Sequence, residues 1–227
     1  MVTPKTVLVV GASRGIGAAV AEHFVNAGYR VFSVARSPVQ AGEWIEADVS
    51  ESAGLAKIAA RLSGISLDAL LYMGGTWEES AFTGDYDFLA SNYEETHRVI
   101  AVNQIAPIEL TRLLVSNMRR AANPRAVYIG ALSGFELNAT REVANTASEF
   151  GLRGAVQALH HALKGQGIGF SLINPGNVDT EEVLEDIRSG RFDMQTPIPM
   201  SDLISAIEWV LSLSPHVDAS DINLLQR

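Results

Sequence analysis

The chain has 227 residues, 47% of them hydrophobic and 19% charged, enough for one sizeable core and short for two ordinary domains. Its 17 basic and 26 acidic residues give a net charge of −9, a field that repels nucleic acid and anionic lipid, so neither is expected as a partner. With no cysteine, disulfides, thiolate nucleophiles and cysteine-based metal sites are excluded, and no other residues form a His/Asp/Glu metal constellation.

Taken in order, short apolar runs alternate with longer amphipathic ones. Strands are predicted at Thr6–Val10, Arg30–Ala35, Trp44–Glu46, Ala69–Tyr72, Ala126–Ile129, Gly169–Asn174 and Ile222–Leu225, and helices near Ile16–Ala27, Glu51–Leu62, Glu94–Arg119, Asn145–Lys164 and Asp202–Leu213. The first apolar run is too short to span a bilayer and lacks a signal-peptide layout, so a cytoplasmic location is expected. Strands alternating with helices imply one α/β domain over 1–227, a doubly wound parallel sheet of about seven strands with helices on both faces. Pro107 removes a backbone donor inside the long helix Glu94–Arg119 and is expected to kink it around Asn103. The segment 177–200 is long, carries Gly190, Pro197 and Pro199, and joins a strand end to a helix. Such a loop at the carboxyl edge of a parallel sheet is expected to cover a substrate.

The first strand runs into Gly11-Ala12-Ser13-Arg14-Gly15-Ile16-Gly17, which then opens a helix. Glycines at 11, 15 and 17 suit a tight turn, close backbone approach to a pyrophosphate and close packing of helix on strand, with Ser13, Arg14 and Ile16 lining the loop. Arg36 ends the second strand about 20 residues on, where an acidic side chain would receive a ribose 2′-hydroxyl; a guanidinium suits a 2′-phosphate instead. Arg14 is placed to close on the same phosphate, so NADP(H) is expected over NAD(H). Asp48 and Val49 follow the third strand and are expected at an adenine edge, and Gly74-Gly75 follow the fourth, where backbone can approach a ribose.

Together these residues resemble the short-chain dehydrogenase/reductase family over essentially the whole chain. Gly11–Gly17 is similar to its T-G-x-x-x-G-x-G loop with Val10 for the Thr, Asp48-Val49 to its adenine pair, Asn103 to its helix asparagine, and Asn174-Pro175-Gly176-Asn177-Val178-Asp179-Thr180 to its nicotinamide-side turn. The resemblance implies a Rossmann-like fold, roles for Pro175, Gly176, Val178 and Thr180 beside the nicotinamide, a small-molecule carbonyl or alcohol substrate, and a dimer or tetramer, or a heteromer with an active relative, built on the two long helices.

The catalytic segment departs from the pattern. Asn145-Thr146-Ala147-Ser148-Glu149 stands where the family has Y-x-A-S-K, so Asn145 replaces the proton-donating Tyr and Glu149 the Lys that lowers its pKa. Ala131 falls at the usual Ser position, with Ser133 available if the loop is one residue out, and Asn103 remains. An amide cannot supply a proton at neutral pH as an activated phenol does, a loss of roughly two to four orders of magnitude. The substitute proton source is expected to be a water held near Asn103 or Tyr72, at the end of the fourth strand, which is preferred over Tyr128, Glu136, Arg141 and Glu142. Glu149 is expected to accept ribose hydroxyls and to favour an oxidised ring. Two functions from other classes stay open: a catalytically silent NADP(H)-binding subunit or sensor, and a non-redox enzyme such as a cyclase, isomerase or dehydratase.

Overall fold

A computed structural model describes residues 4–227. Seven strands form one all-parallel sheet: β1 (Thr6–Val10), β2 (Arg30–Ala35), β3 (Glu43–Glu46), β4 (Ala69–Tyr72), β5 (Arg125–Ile129), β6 (Gly169–Pro175) and β7 (Asp221–Leu224), in the order β3-β2-β1-β4-β5-β6-β7. The order reverses between β1 and β4, and in open parallel sheets the carboxyl ends of the strands at such a switch point are where ligands bind.

The helices are α1 (Gly15–Asn26), α2 (Ser52–Arg61), α3 (Tyr93–Ile100), α4 (Ala106–Met118), α5 (Val143–Ala162), α6 (Glu181–Arg188) and α7 (Met200–Ser212). Alternate strand residues face opposite layers. Leu8, Val10, Leu70 and Tyr72 join a core with Leu55, Leu114 and Leu152 of α2, α4 and α5. Val7, Val9 and Leu71 join a second core with Phe24 of α1 and Leu203 and Ile207 of α7. These helices cover the sheet on both faces, which is what strands reading as unbroken apolar runs require.

The break foreseen at Pro107 takes a defined form: α3 and α4 are joined by a π-helical turn, Ala101–Ile105. In that turn the Ala106 N–H reaches back to the Ala101 carbonyl. The same pattern would pair residue 107 with the Val102 carbonyl, but proline has no N–H to give. At the other end of the sheet, buried Arg125 holds the β7 approach, donating to the Val217, Leu213 and Ser214 carbonyls and pairing with Asp218 at 2.7 Å.

Segment 177–200 is not an irregular loop throughout. Val178 bridges Ile198 in parallel, the Ile198 N–H donates to the Asn177 carbonyl at 2.7 Å, and α6 lies between. Thr180 caps α6 through the Val183 N–H, and the Asp179 carboxylate accepts from the Met200 N–H at 2.6 Å, capping α7.

Candidate active site

The glycine loop is shaped by contacts that leave no room for side chains. Gly11 has φ +85°, and a Cβ on it would lie 2.5 Å from the Gly74 Cα across the switch point; a Cβ on Gly17 would collide with the Gly11 carbonyl. The N-termini of the glycine-loop helix and the ends of β1 and β4 are thereby locked together. α1 starts with Arg14 at its cap position, no side chain on its free N–H groups and no acidic residue in its first turn. An uncapped, partly positive helix end beside the exposed Arg14 guanidinium fits a phosphate of a dinucleotide. Ser13 and Ile16 lie in the same loop, half-buried.

Arg14 and Arg36 are both 74% exposed. Arg14 pairs with Glu182 of α6 at 2.7 Å, and Arg36 stands 4.0 Å from Asp48. Burial pushes the Asp48 carboxyl up, but the Ser50 hydroxyl and N–H and the Arg36 charge together hold it below its ordinary range. Val49 packs on the α2-side core. Gly75 lies beside the Asn103 amide, 3.9 Å from where its Cβ would be.

Asn103 sits in the π turn, 4% exposed. Its Oδ1 accepts from the Thr76 N–H at 2.9 Å, and its Nδ2 donates to the Thr76 carbonyl at 2.7 Å and to Ser148 Oγ at 3.0 Å. Both amide hydrogens are used, so this side chain pins the loop after β4 to α5 instead of offering a donor to a water.

The expected substitute acid, Tyr72, is enclosed and its hydroxyl engaged. It is 1% exposed, on the α2-side face of the sheet, and its hydroxyl donates to the Val102 carbonyl at 2.6 Å, the acceptor that Pro107 leaves without a partner. Burial, and after it the Asp48 charge, pushes the phenol far above its ordinary pKa. Tyr128 is likewise closed off, buried against Thr111 at 2.6 Å with its phenol pushed up by burial.

The altered segment lies in the first two turns of α5. Asn145 is buried, and its backbone N–H and that of Ala144 donate to the carboxylate of Glu78, which is 3% exposed. Glu78 thus caps a 20-residue helix from a remote loop, a role that sequence reasoning missed. The signal available was Glu78 itself, in the loop just after Gly74-Gly75, together with the lack of any acidic residue in the first turn of α5. Next to it, Glu142 accepts from the Phe82 N–H at 2.9 Å, and a shallow cleft of about 650 Å³ runs between Phe82–Gly84 and Ala139–Glu142.

Glu149 is 9% exposed, and its Oε2 has no hydrogen-bond partner. It lies beside the ends of β5 and β6: a Cβ on Gly130 would be 3.4 Å from that oxygen and 2.5 Å from Asn174 Oδ1. Burial raises the carboxyl to about 7, with the Ala131 backbone N–H acting in the opposite sense. Ser133, 7% exposed in a short 3-10 turn (Leu132–Gly134), also has an unpartnered hydroxyl. Of the buried polar atoms left without partners among the described residues, Glu149 Oε2 thus falls in the altered segment and Ser133 Oγ in the turn that precedes it, while Arg125 Nε and Ser171 Oγ lie elsewhere. Pro175 ends β6, the Gly176 N–H donates to the Leu224 carbonyl at 2.9 Å, and Val178 and Thr180 form the root of the α6 excursion.

A family model described as short chain dehydrogenase matches residues 5–189. The chain belongs to the short-chain dehydrogenase/reductase family. Among relatives of this dehydrogenase family, protein FixR of Bradyrhizobium diazoefficiens is 30% identical over 197 residues, 81% of this chain and 70% of that one. The short chain dehydrogenase prhI of Penicillium brasilianum is 29% identical over 207 residues, 86% of this chain and 77% of that one. Among solved structures, BdcA in complex with NADPH superposes with a TM-score of 0.81 at 21% identity, covering 98% of this chain and 93% of its own. A 4-hydroxyisoleucine dehydrogenase complexed with NADH gives 0.80 at 23% identity, covering 97% and 96%. These likenesses establish the short-chain dehydrogenase fold across the described residues.

Proposed function

We propose that the protein is an NADP(H)-dependent oxidoreductase acting on a carbonyl or alcohol substrate, with a proton source other than the family's tyrosine. The observation that carries this reading is the uncapped α1 N-terminus behind the Gly11–Gly74 contact, with exposed Arg14 at its cap and exposed Arg36 just past the end of β2. Relatives by fold hold NADH in one case and NADPH in another, so the choice of coenzyme rests on Arg14 and Arg36. Their guanidinium groups can grip a 2′-phosphate through charge-assisted bonds, each worth about 1.5–3 kcal/mol. Gly74, Gly75, Asp48 and Val49 would border the adenosine half, and Pro175, Gly176, Val178 and Thr180 the nicotinamide half.

The bound coenzyme would supply or accept the hydride. With Tyr72 closed off and Asn103 committed to Thr76, the buried groups with free atoms near Asn145 are the Ser133 hydroxyl and the Glu149 carboxyl. A carboxyl near neutrality is suited to giving and taking a proton at physiological pH, whereas a serine hydroxyl can only orient a substrate oxygen. The rim formed by Phe82–Gly84 and Ala139–Glu142 is where a small substrate would enter.

The test is a fluorescence titration with NADPH and NADH followed by an absorbance screen of carbonyl substrates. Tighter NADPH binding and loss of NADPH absorbance support the reading; failure to bind either coenzyme removes it. A second reading, a silent NADP(H)-binding subunit, is favoured by the amide at position 145 and the sealed Tyr72. It is the outcome if NADPH binds and no substrate is turned over while a related chain with an intact Tyr and Lys co-purifies.

A further inference from the structure

Glu149 combines three properties that rarely coexist in a resting protein: a carboxyl 9% exposed, an oxygen without a partner, and no cation paired with it among the described residues. Each element packed around it has its own charges committed elsewhere. On α5 itself, Arg153 is held by Asp221 of β7 at 2.9 Å. The Asp221 carboxylate also accepts from Asn174 Nδ2 at 2.7 Å. On the loop after β4, Glu78 is held by the Ala144 and Asn145 N–H groups. On α3, Arg98 donates to Thr76 Oγ1 at 2.6 Å and to the Trp77 carbonyl, and the π turn offers only the neutral amides of Asn103 and Gln104. From β6 and the 3-10 turn come Asn174, the Ala131 N–H and the unpartnered Ser133 hydroxyl, none of them charged.

A buried carboxyl with no positive neighbour keeps its proton more readily than one in water, and a fixed positive charge brought beside it reverses that preference. Oxidised and reduced nicotinamide differ in just this respect, the oxidised ring carrying one positive charge and the reduced ring none. We propose that Glu149 senses the redox state of the coenzyme, retaining its proton beside the neutral reduced ring and releasing it to solvent when the cationic oxidised ring binds. This rests on the coenzyme reading above. The carboxylic acid becomes a carboxylate, the proton passes to buffer, and no electron moves. The consequence is a built-in preference for NADP⁺ that grows as pH rises, and a proton taken up each time the oxidised form is exchanged for the reduced one.

The resting carboxyl, at about 7, is half-protonated near neutrality, so NADP⁺ should release up to about half a proton more than NADPH at pH 7. Any proton lost by a 2′-phosphate gripped by arginine is common to both forms and cancels in the difference. The experiment is titration calorimetry of the wild-type chain with NADP⁺ and with NADPH in two buffers of different ionisation enthalpy, repeated from pH 6 to 8, then with Glu149→Gln and Glu149→Lys. The expected result is a proton difference in the wild type that vanishes in Glu149→Gln, an NADP⁺/NADPH affinity ratio that moves about tenfold toward NADPH in that variant, and a further move in the same direction in Glu149→Lys.

Equal proton release with both forms in the wild type overturns the proposal, as does a difference that survives Glu149→Gln. Wild-type binding of both coenzymes with no proton difference fails this inference alone; no heat with either fails the coenzyme reading as well. If the Gln variant does not fold, as judged by lost NADPH binding, the wild-type pH series decides by itself: NADP⁺ affinity must rise relative to NADPH between pH 6 and 8.

Discussion

The Tyr72 hydroxyl stands 2.6 Å from the Val102 carbonyl and donates to it. The contact ties the end of β4 to the π turn at the acceptor that Pro107 cannot satisfy. A buried carbonyl stripped of its donor costs about 1–3 kcal/mol, so Tyr72→Phe should lower unfolding stability by about that amount in urea. Coenzyme affinity should stay within about twofold, because the phenol faces the helix layer and not the glycine loop.

Asn103→Leu should have a wider effect. It removes three hydrogen bonds at once, leaving the half-buried Thr76 backbone without its amide partner and the buried Ser148 hydroxyl with only its donation to the Asn145 carbonyl. A loss of roughly 2–4 kcal/mol is expected, with faster amide exchange over residues 74–80 measured by mass spectrometry.

Arg36→Ala should separate the two coenzymes. If the guanidinium meets a 2′-phosphate, NADPH affinity falls about tenfold or more while NADH affinity changes little, and the NADPH binding constant of the wild type weakens with added salt. Breaking the exposed Arg14–Glu182 pair with Glu182→Gln should shift stability by less than about 1 kcal/mol, since both partners are largely solvated. Its readout is coenzyme binding: an Arg14 no longer engaged by α6 should hold NADPH a few-fold more tightly.

The Glu149 carboxyl gives the fold a pH dependence with a definite sign. Its folded pKa of about 7 lies above the ordinary 4.5, so the native state holds the proton more tightly than the unfolded chain does. The stability associated with it is therefore complete below about pH 4.5 and is lost as pH rises through 7. Glu149→Gln removes the titration, and the variant should lose less stability than the wild type between pH 5 and pH 8, by on the order of 3 kcal/mol. Thermal unfolding across that range checks it; parallel curves for the two chains would contradict it.

Much of this architecture can be read from residue order. The strands appear as apolar runs because both faces of a parallel sheet are covered, and each predicted strand falls within a residue or two of its observed limits. Pro107 announced the break in the long helix, although the pattern could not say that it would take the form of a π turn. The fate of Tyr72 was not legible, because its partner is a carbonyl 30 positions away whose availability depends on how that turn hydrogen-bonds. Glu78 was missed for the same reason. Capping signals are sought within a few residues of a helix start, and this one arrives from 66 positions earlier in the chain. Glu149 was recognised as a charge reversal from its place in the motif, but its lack of a partner emerges only when Arg153 is found engaged by Asp221.

The Val178–Ile198 bridge closes the α6 excursion at its root, and the two residues just beyond it, Asp179 and Thr180, secure the helices on either side. The seventeen positions from 181 to 197 can therefore change in length and character without disturbing the sheet beneath. New ligand preferences can be tried out there by mutation while the scaffold is left as it is.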